Sequence, residues 1–321
     1  IDKIYIQAVL IMNNDYAAWP MNFFLQPDLK PFFASGPLRP HEISAYLDKA
    51  STDWKNNRSA IAKTAEHIDR MMRTKHRNTA DWSTQADDGD DNTVYDRYYT
   101  FLTDNFDEEY GSFGQGVKSV PTQELLFLND ARNKDREKEI NTMLTTSAEG
   151  FLMGAIQDHV GKGFHRYTED RKWLAPHFEK MLYTQGFVLD SVSALSTEFR
   201  SKLYEDTLEN TYYFLVSEMQ DPRTSFFYSS IDATDEKPRS RYYSWDRQSV
   251  YRALQGVELT TFERNFNLTS EGVLYKTNDL TSRKMDEMLR VLEVIREDRK
   301  APSKDKKAIT SWNAIIVHAL A

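Results

Sequence analysis

The chain has 321 residues, 40% hydrophobic and 28% charged, a globular balance with material for about two domains. Asp plus Glu total 49 against 41 for Lys plus Arg, and the net charge of -8 argues against a nucleic-acid-binding module. Cysteine is absent, which excludes disulfides, thiolate metal ligands, cysteine nucleophiles and CxxC redox chemistry within the sequence.

No apolar run approaches the ~20 residues that cross a bilayer. Asp2 and Lys3 interrupt the opening segment, so it does not read as a signal peptide. Ile1, Ile4, Tyr5, Ala8, Val9 and Met12 recur at helical spacing and predict a helix that ends at Asn13-Asn14-Asp15. Met21–Leu25 and Pro31–Ala34 read as antiparallel strands around a Pro27-Asp28-Leu29-Lys30 turn. Trp19-Pro20 is a candidate cis peptide. A helical stripe runs from His41 to about Lys75. Residues 76–92 read as a linker, with an acidic run Asp87-Asp88-Gly89-Asp90-Asp91 that does not match a calcium-binding loop. Helices are then predicted near 93–103, 122–129, 135–146, 177–195, 198–219, 246–254, 282–299 and 310–321. Ser225–Ser229 and Arg241–Trp245 read as short strands. Helical hairpins of this kind describe a bundle, a solenoid or an (α/α) toroid, and no fixed-period repeat is visible.

The most distinctive stretch runs from Asp158-His159-Val160-Gly161 through Gly163-Phe164-His165-Arg166-Tyr167 to Trp173 and Pro176-His177-Phe178-Glu179. Imidazole and carboxylate groups close together suit acid–base chemistry near neutral pH, and Phe164, Tyr167 and Trp173 would stack on a sugar-like ring. The same residues fit a buried His–Glu–Arg network that pins a glycine-rich loop onto helix ends, and composition alone favours that network over catalysis. His159, His165 and His177 lack the i, i+4 spacing of a helical zinc pair, so no metal site is expected. Asn105–Gly114 reads as a loop that tucks an aromatic into the core, and Gln115-Gly116-Val117-Lys118 does not match a phosphate loop.

Taken in order, these segments resemble the spermatogenesis-associated protein 20 family over nearly the whole chain. Trp19-Pro20-Met21-Asn22, Pro27-Asp28 and Pro31-Phe32-Phe33 resemble its thioredoxin-like half. Phe106-Asp107 with Gly111 and Phe113-Gly114, the Asp158 and His165 runs, Pro176–Tyr183, Phe227-Tyr228-Ser229 and Thr310-Ser311-Trp312-Asn313 resemble its toroid. The resemblance implies a mainly α fold with a small α+β part. It implies the C-terminal part of a thioredoxin-like domain with a helical extension over 1–75, a linker over 76–92 and the first part of an incomplete six-hairpin (α/α) toroid over 93–321.

The departures fall on acidic positions. Family acids are replaced around Ile231-Asp232-Ala233-Thr234, Arg239-Ser240, Tyr183-Thr184 and Asp305-Lys306, while shape-setting Gly and aromatic residues are kept. Two readings follow. The first is a catalytically degenerate structural or interaction subunit, its cut edges covered by a protein partner or larger assembly, intracellular and in the mitochondrion. The second is an epimerase- or glycosidase-like enzyme on a sugar, with His159, His165, His177 and Glu179 as acid–base groups and Asp158, Arg166, Tyr167, Trp173, Asp232 and Trp312 contacting substrate. Neither calls for a cofactor, a metal or nucleic acid.

Overall fold

The structure is a computed structural model and describes residues 2–13, 19–84, 91–233 and 241–321. The chain divides into two compact units, Ile1–Val94 and Tyr95–Ala321.

In the first unit, helix α1 (Asp2–Met12) precedes an antiparallel hairpin of β1 (Asn22–Leu25) and β2 (Pro31–Ser35), followed by α2 (Pro40–Asn56) and α3 (Arg58–Thr84). Two strands alone are marginal in water, and here α1 and α3 pack against β2 and against each other. Ala8, Val9, Ala34, Ile61, Ala65 and Ile68 are buried in this unit. Aromatic side chains extend the packing: Phe24 stacks on Phe33 at 5.0 Å and Phe33 meets Tyr46 at 4.7 Å. The Trp19-Pro20 peptide is cis. The single helical stripe expected from His41 to Lys75 is two helices. Asn57 leaves helical geometry at φ -132°, ψ 35° while its N–H still caps the Asp53 carbonyl. The second helix runs on to Thr84. Most of the acidic run lies outside the described residues.

The second unit is built from helical hairpins. Helix α4 (Asp91–Asn105) leads through a loop to α5 (Thr122–Asp130) and α6 (Glu137–Met153). A long loop carrying β3 (Tyr167–Thr168), β4 (Pro176–His177) and β5 (Lys180–Met181) leads to α7 (Leu182–Glu198). Next come α8 (Lys202–Phe214), which runs on as a wide turn through Met219, then β6 (Ser230–Ile231), α9 (Arg247–Ala253) and α10 (Val257–Asn265). The hairpin β7 (Phe266–Leu268) and β8 (Leu274–Lys276), then α11 (Arg283–Glu297), β9 (Lys304–Asp305) and α12 (Thr310–Leu320) follow.

Helix α7 is the hub, packed against α5, α8 and α12. Leu182, Val188, Leu189, Val192 and Leu195 bury it, with Thr184, Gln185 and Ser191 also inside. A helix this apolar all round needs neighbours on every side. Gly186 lets α12 approach, because a Cβ there would lie 2.6 Å from Ile315 Cγ2.

The mainly α class with a small α+β part holds. The helix expected from His177 starts only at Leu182, because 176–181 is extended in β4 and β5. Arg241–Trp245 is not a strand: the Arg299 guanidinium draws the Arg241, Tyr242 and Ser244 carbonyls onto one nitrogen, and the chain turns around it. Ser225–Ser229 is no named strand either; Phe227 makes only an isolated bridge to Gln220, and pairing begins at Ser230 between β5 and β9.

A repeat does exist, at unequal intervals. The loops after α4, α6 and α8 begin at Asp107, Asp158 and Asp221. In each, the Asp N–H donates to the carbonyl five residues on: Ser112 at 2.9 Å, Gly163 at 3.0 Å and Phe226 at 2.8 Å. The residue before each Asp bridges to a Phe, in the pairs Phe106–Phe113, Gln157–Phe164 and Gln220–Phe227. The fourth residue after each Asp has positive φ: Gly111 (70°), Lys162 (62°) and Ser225 (62°). At Gly111 a Cβ would also overlap the Thr146 carbonyl. Left-handed strain plus backbone overlap predicts that Gly111→Ala costs roughly 2–4 kcal/mol. Urea unfolding reads this directly, and an unchanged midpoint would show that the loop does not need glycine there.

Candidate functional site

Asp158 sits at the centre of a buried ionic cluster. Arg296 Nη1 donates to both carboxylate oxygens at 2.9 Å, and Lys180 Nζ donates to Oδ2 at 2.7 Å. The backbone N–H groups of Val160 and Gly161 donate to Oδ1, so the carboxylate is saturated. Lys180 also donates to the Lys162 carbonyl at 2.6 Å. A Cβ on Gly161 would overlap the Arg296 guanidinium, so glycine gives Arg296 its place. Burial alone would raise the Asp158 carboxyl; Arg296 and Lys180 outweigh it and hold the group far below the usual carboxylate range. Burial pulls Lys180 down to about 8 despite Asp158.

His165 lies fully buried against this cluster. Its Nδ1 donates to the Phe178 carbonyl at 3.1 Å, and its ring meets Tyr243 and Phe178 edge-on at 4.8 and 5.3 Å. Its Nε2 has no hydrogen-bond partner among the described residues. Burial first, then the Lys180 charge, lowers His165 to about 3, so the imidazole is neutral at pH 7. His159 faces the other way. Its Nε2 donates to the Met153 and Gly154 carbonyls, and burial followed by the Lys276 charge lowers it to about 4.

The remaining candidates gather on a more open face. Pairing of β3 with β4 sets Tyr167 opposite His177, their rings stacked at 4.8 Å. The Arg166 N–H donates to the Glu179 carbonyl, while its guanidinium donates to Glu179 Oε2 at 3.0 Å and to the Tyr183 hydroxyl at 3.1 Å. His177 Nδ1 lies 3.5 Å from Glu179 Oε2, longer than a hydrogen bond. Tyr183, in the first turn of α7, meets Trp312, in the first turn of α12, at 5.0 Å. Arg166, Tyr167, His177, Glu179, Tyr183 and Trp312 therefore share one neighbourhood, into which Asp158 and His165 do not open.

Two candidates stand elsewhere. Trp173 is 1% exposed, donates to the Tyr110 carbonyl and packs on Phe151, so its ring is core and offers no stacking face. Asp232 is exposed and accepts from Ser303 Oγ. Among the described residues no group of His, Asp and Glu is arranged to hold a metal ion, and no helix is long and apolar enough to cross a membrane.

The structure adds residues that sequence reasoning passed over. Arg296 lies 138 positions from Asp158 with no local signal. Asp107 repeats the arrangement, taking Lys118 at 2.6 Å and a two-pronged contact from Arg171 at 2.7 Å. Gln185 and Asn313, each the fourth residue of its helix, do one job twice: the Gln185 amide pairs with both backbone groups of Phe164, and Asn313 does so with Phe227.

Comparison with known proteins matches this architecture to relatives. Residues 1–73 match the family model Thioredox_DsbH, described as a protein of unknown function, DUF255. Human spermatogenesis-associated protein 20 is 26% identical, with 100% of this chain and 47% of the human protein covered. The mouse protein of the same name is 28% identical over 79% of this chain and 34% of its own length. The chain thus resembles this family from end to end and spans about half the length, or less, of these curated relatives. Among solved structures, cellobiose 2-epimerase from Bacillus thermoamylovorans aligns over 71% of this chain and 72% of its own, at TM-score 0.39 and 14% identity. A family 76 glycoside hydrolase (mannosidase) from Bacteroides thetaiotaomicron aligns over 57% and 56%, at TM-score 0.31 and 11% identity.

The buried histidines make stability pH-dependent. Both folded-state values lie below the unfolded value near 6.5, so the unfolded chain takes up protons first as pH falls. Their contribution is complete above pH ~6.5 and drains at up to about 1.4 kcal/mol per pH unit per histidine down to their folded values. Thermal unfolding between pH 7.5 and 4.5 should show Tm falling. His165→Gln should be destabilised at pH 7.5 and close on the wild type as pH drops; parallel curves would contradict a neutral buried His165.

Proposed function

We propose that this chain is a catalytically degenerate relative of spermatogenesis-associated protein 20 that serves as a structural or interaction subunit of a protein complex in the mitochondrion. The observation that carries the reading is where the motif residues spend their bonding capacity. Asp158 is saturated by Arg296, Lys180 and two backbone N–H groups, and Gln185 and Asn313 are engaged in pairing backbone. These groups build loops. On the open face, the carboxylate oxygen of Glu179 that faces His177 is held by Arg166. Tyr212, Tyr213 and Val216 are exposed along α8 and its wide turn, which suits a surface that meets another chain.

A second reading stands on one observation. Tyr167, Tyr183 and Trp312 place aromatic rings around Arg166, His177 and Glu179 on a face that is partly open, the furniture of a sugar subsite. On that reading the chain is a carbohydrate-active enzyme of the epimerase or glycosidase kind, with Glu179 and His177 as its acid–base pair.

One experiment separates them. Native mass spectrometry of the mildly extracted endogenous protein should show a second chain at fixed stoichiometry, and the purified protein should turn over none of a panel of reducing mono- and disaccharides. Turnover that Glu179→Gln abolishes without changing Tm would overturn the subunit reading and establish the enzyme.

A further inference from the structure

A cavity of about 540 Å³ lies between α8 and α11, apart from the Arg166–Glu179 face. Lys276 on β8 lies in its lining, 8% exposed, and its ammonium makes no hydrogen bond or ion pair among the described residues. An ammonium at a cavity wall with no protein partner is left to water or to an anionic ligand. The lining also contains two acceptors. Gln157 Oε1 is buried with no hydrogen-bond partner. His159 has its Nε2 proton tied to two backbone carbonyls, which leaves Nδ1 as the lone-pair nitrogen of the neutral ring. Asp206 and Asp286 stand among the lining residues; Asp206 is paired with Lys202, and Asp286 makes no ion pair among the described residues. Leu203, Met285 and Phe266 supply apolar wall. Burial pulls Lys276 below the usual lysine range, while Asp206, Asp279 and Asp286 push it back.

The groups without a protein partner are of two kinds: one cation, which calls for an anionic oxygen, and two neutral acceptors, Gln157 Oε1 and His159 Nδ1, which call for an N–H donor, with the Asp286 carboxylate beside them. A free anion satisfies the first and is repelled by the carboxylates. A neutral polyol leaves the ammonium uncompensated. A small molecule carrying both charges satisfies both. We propose that this cavity binds a free α-amino acid with an apolar side chain, its carboxylate on Lys276, its ammonium toward Gln157, His159 and Asp286, and its side chain against the apolar wall. The juxtaposition that carries this is a lysine ammonium and an amide oxygen, neither with a protein partner among the described residues, lining one cavity beside a carboxylate.

Calorimetric titration of the full chain with L-leucine tests it. Leucine should bind at about 1 mM or tighter. Leucinamide, which lacks the carboxylate, and 4-methylvalerate, which lacks the ammonium, should each bind at least about tenfold more weakly. Lys276→Met removes the cation with little change in volume and should weaken leucine at least about tenfold with Tm held or raised. Should that variant fail to fold, Asp286→Asn, on an exposed first helical turn, gives a second reading with several-fold weaker binding. Binding of 4-methylvalerate or inorganic phosphate as tight as leucine would reduce the cavity to an anion site and overturn the proposal. So would no heat from leucine at about 10 mM, or leucine affinity unchanged in both variants.

Discussion

The second unit depends on a charge almost wholly withdrawn from water. Asp158 is 6% exposed, and a carboxylate in that position is tolerable only if every lone pair is met. It is met by the loop's own N–H groups, by Lys180 at the entrance to α7 and by Arg296 near the end of α11. Three elements remote in sequence are thereby held to one point. The aromatic layer around it follows: Arg296 lies over Tyr242 at 4.8 Å and Lys180 over Phe214 at 4.7 Å, while Tyr243 and Phe178 stack at 5.3 Å. Removing one partner would strand the other charges, so the cluster behaves as a unit.

The three Asp-headed loops show the same constraint met to different degrees. Asp107 and Asp158 each recruit a buried lysine and an arginine, and each lysine also takes the carbonyl four residues after its Asp. Asp221 keeps the loop geometry but meets only the exposed Arg223, at 3.5 Å. Loop shape is therefore set by the backbone hydrogen bond and the left-handed turn, and the ion cluster is added where the loop is buried. The amide clamps of Gln185 and Asn313 then tie a loop to the helix behind it.

Much of this was legible in the sequence where the signal is local. The opening helix and the hairpin follow from periodicity and from Pro27-Asp28, and the long helices follow from their apolar spacing, with boundaries a few residues off. The Asp158 and His177 runs stood out, yet their local pattern could not separate His165 from Arg166. Neighbours in sequence, one is fully buried and the other open: His165 is held inside by the Phe178 carbonyl, while Arg166 reaches out to Glu179 and Tyr183. The loop repeat escaped because only an Asp and a Phe recur, at unequal gaps between positions 107, 158 and 221. Arg296 escaped because its partner is 138 positions away, and the α8–α11 cavity because its floor comes from β7 and β8, a hairpin set by the fold around it.

That distance also orders events as the chain is made. When α6, its loop and α7 have emerged from the ribosome, Asp158 has Lys180 but not its arginine partner, which lies near the end of α11. Closing so long a span is a late and entropically expensive step. The Asp158 cluster can therefore close only after α11 has been synthesised.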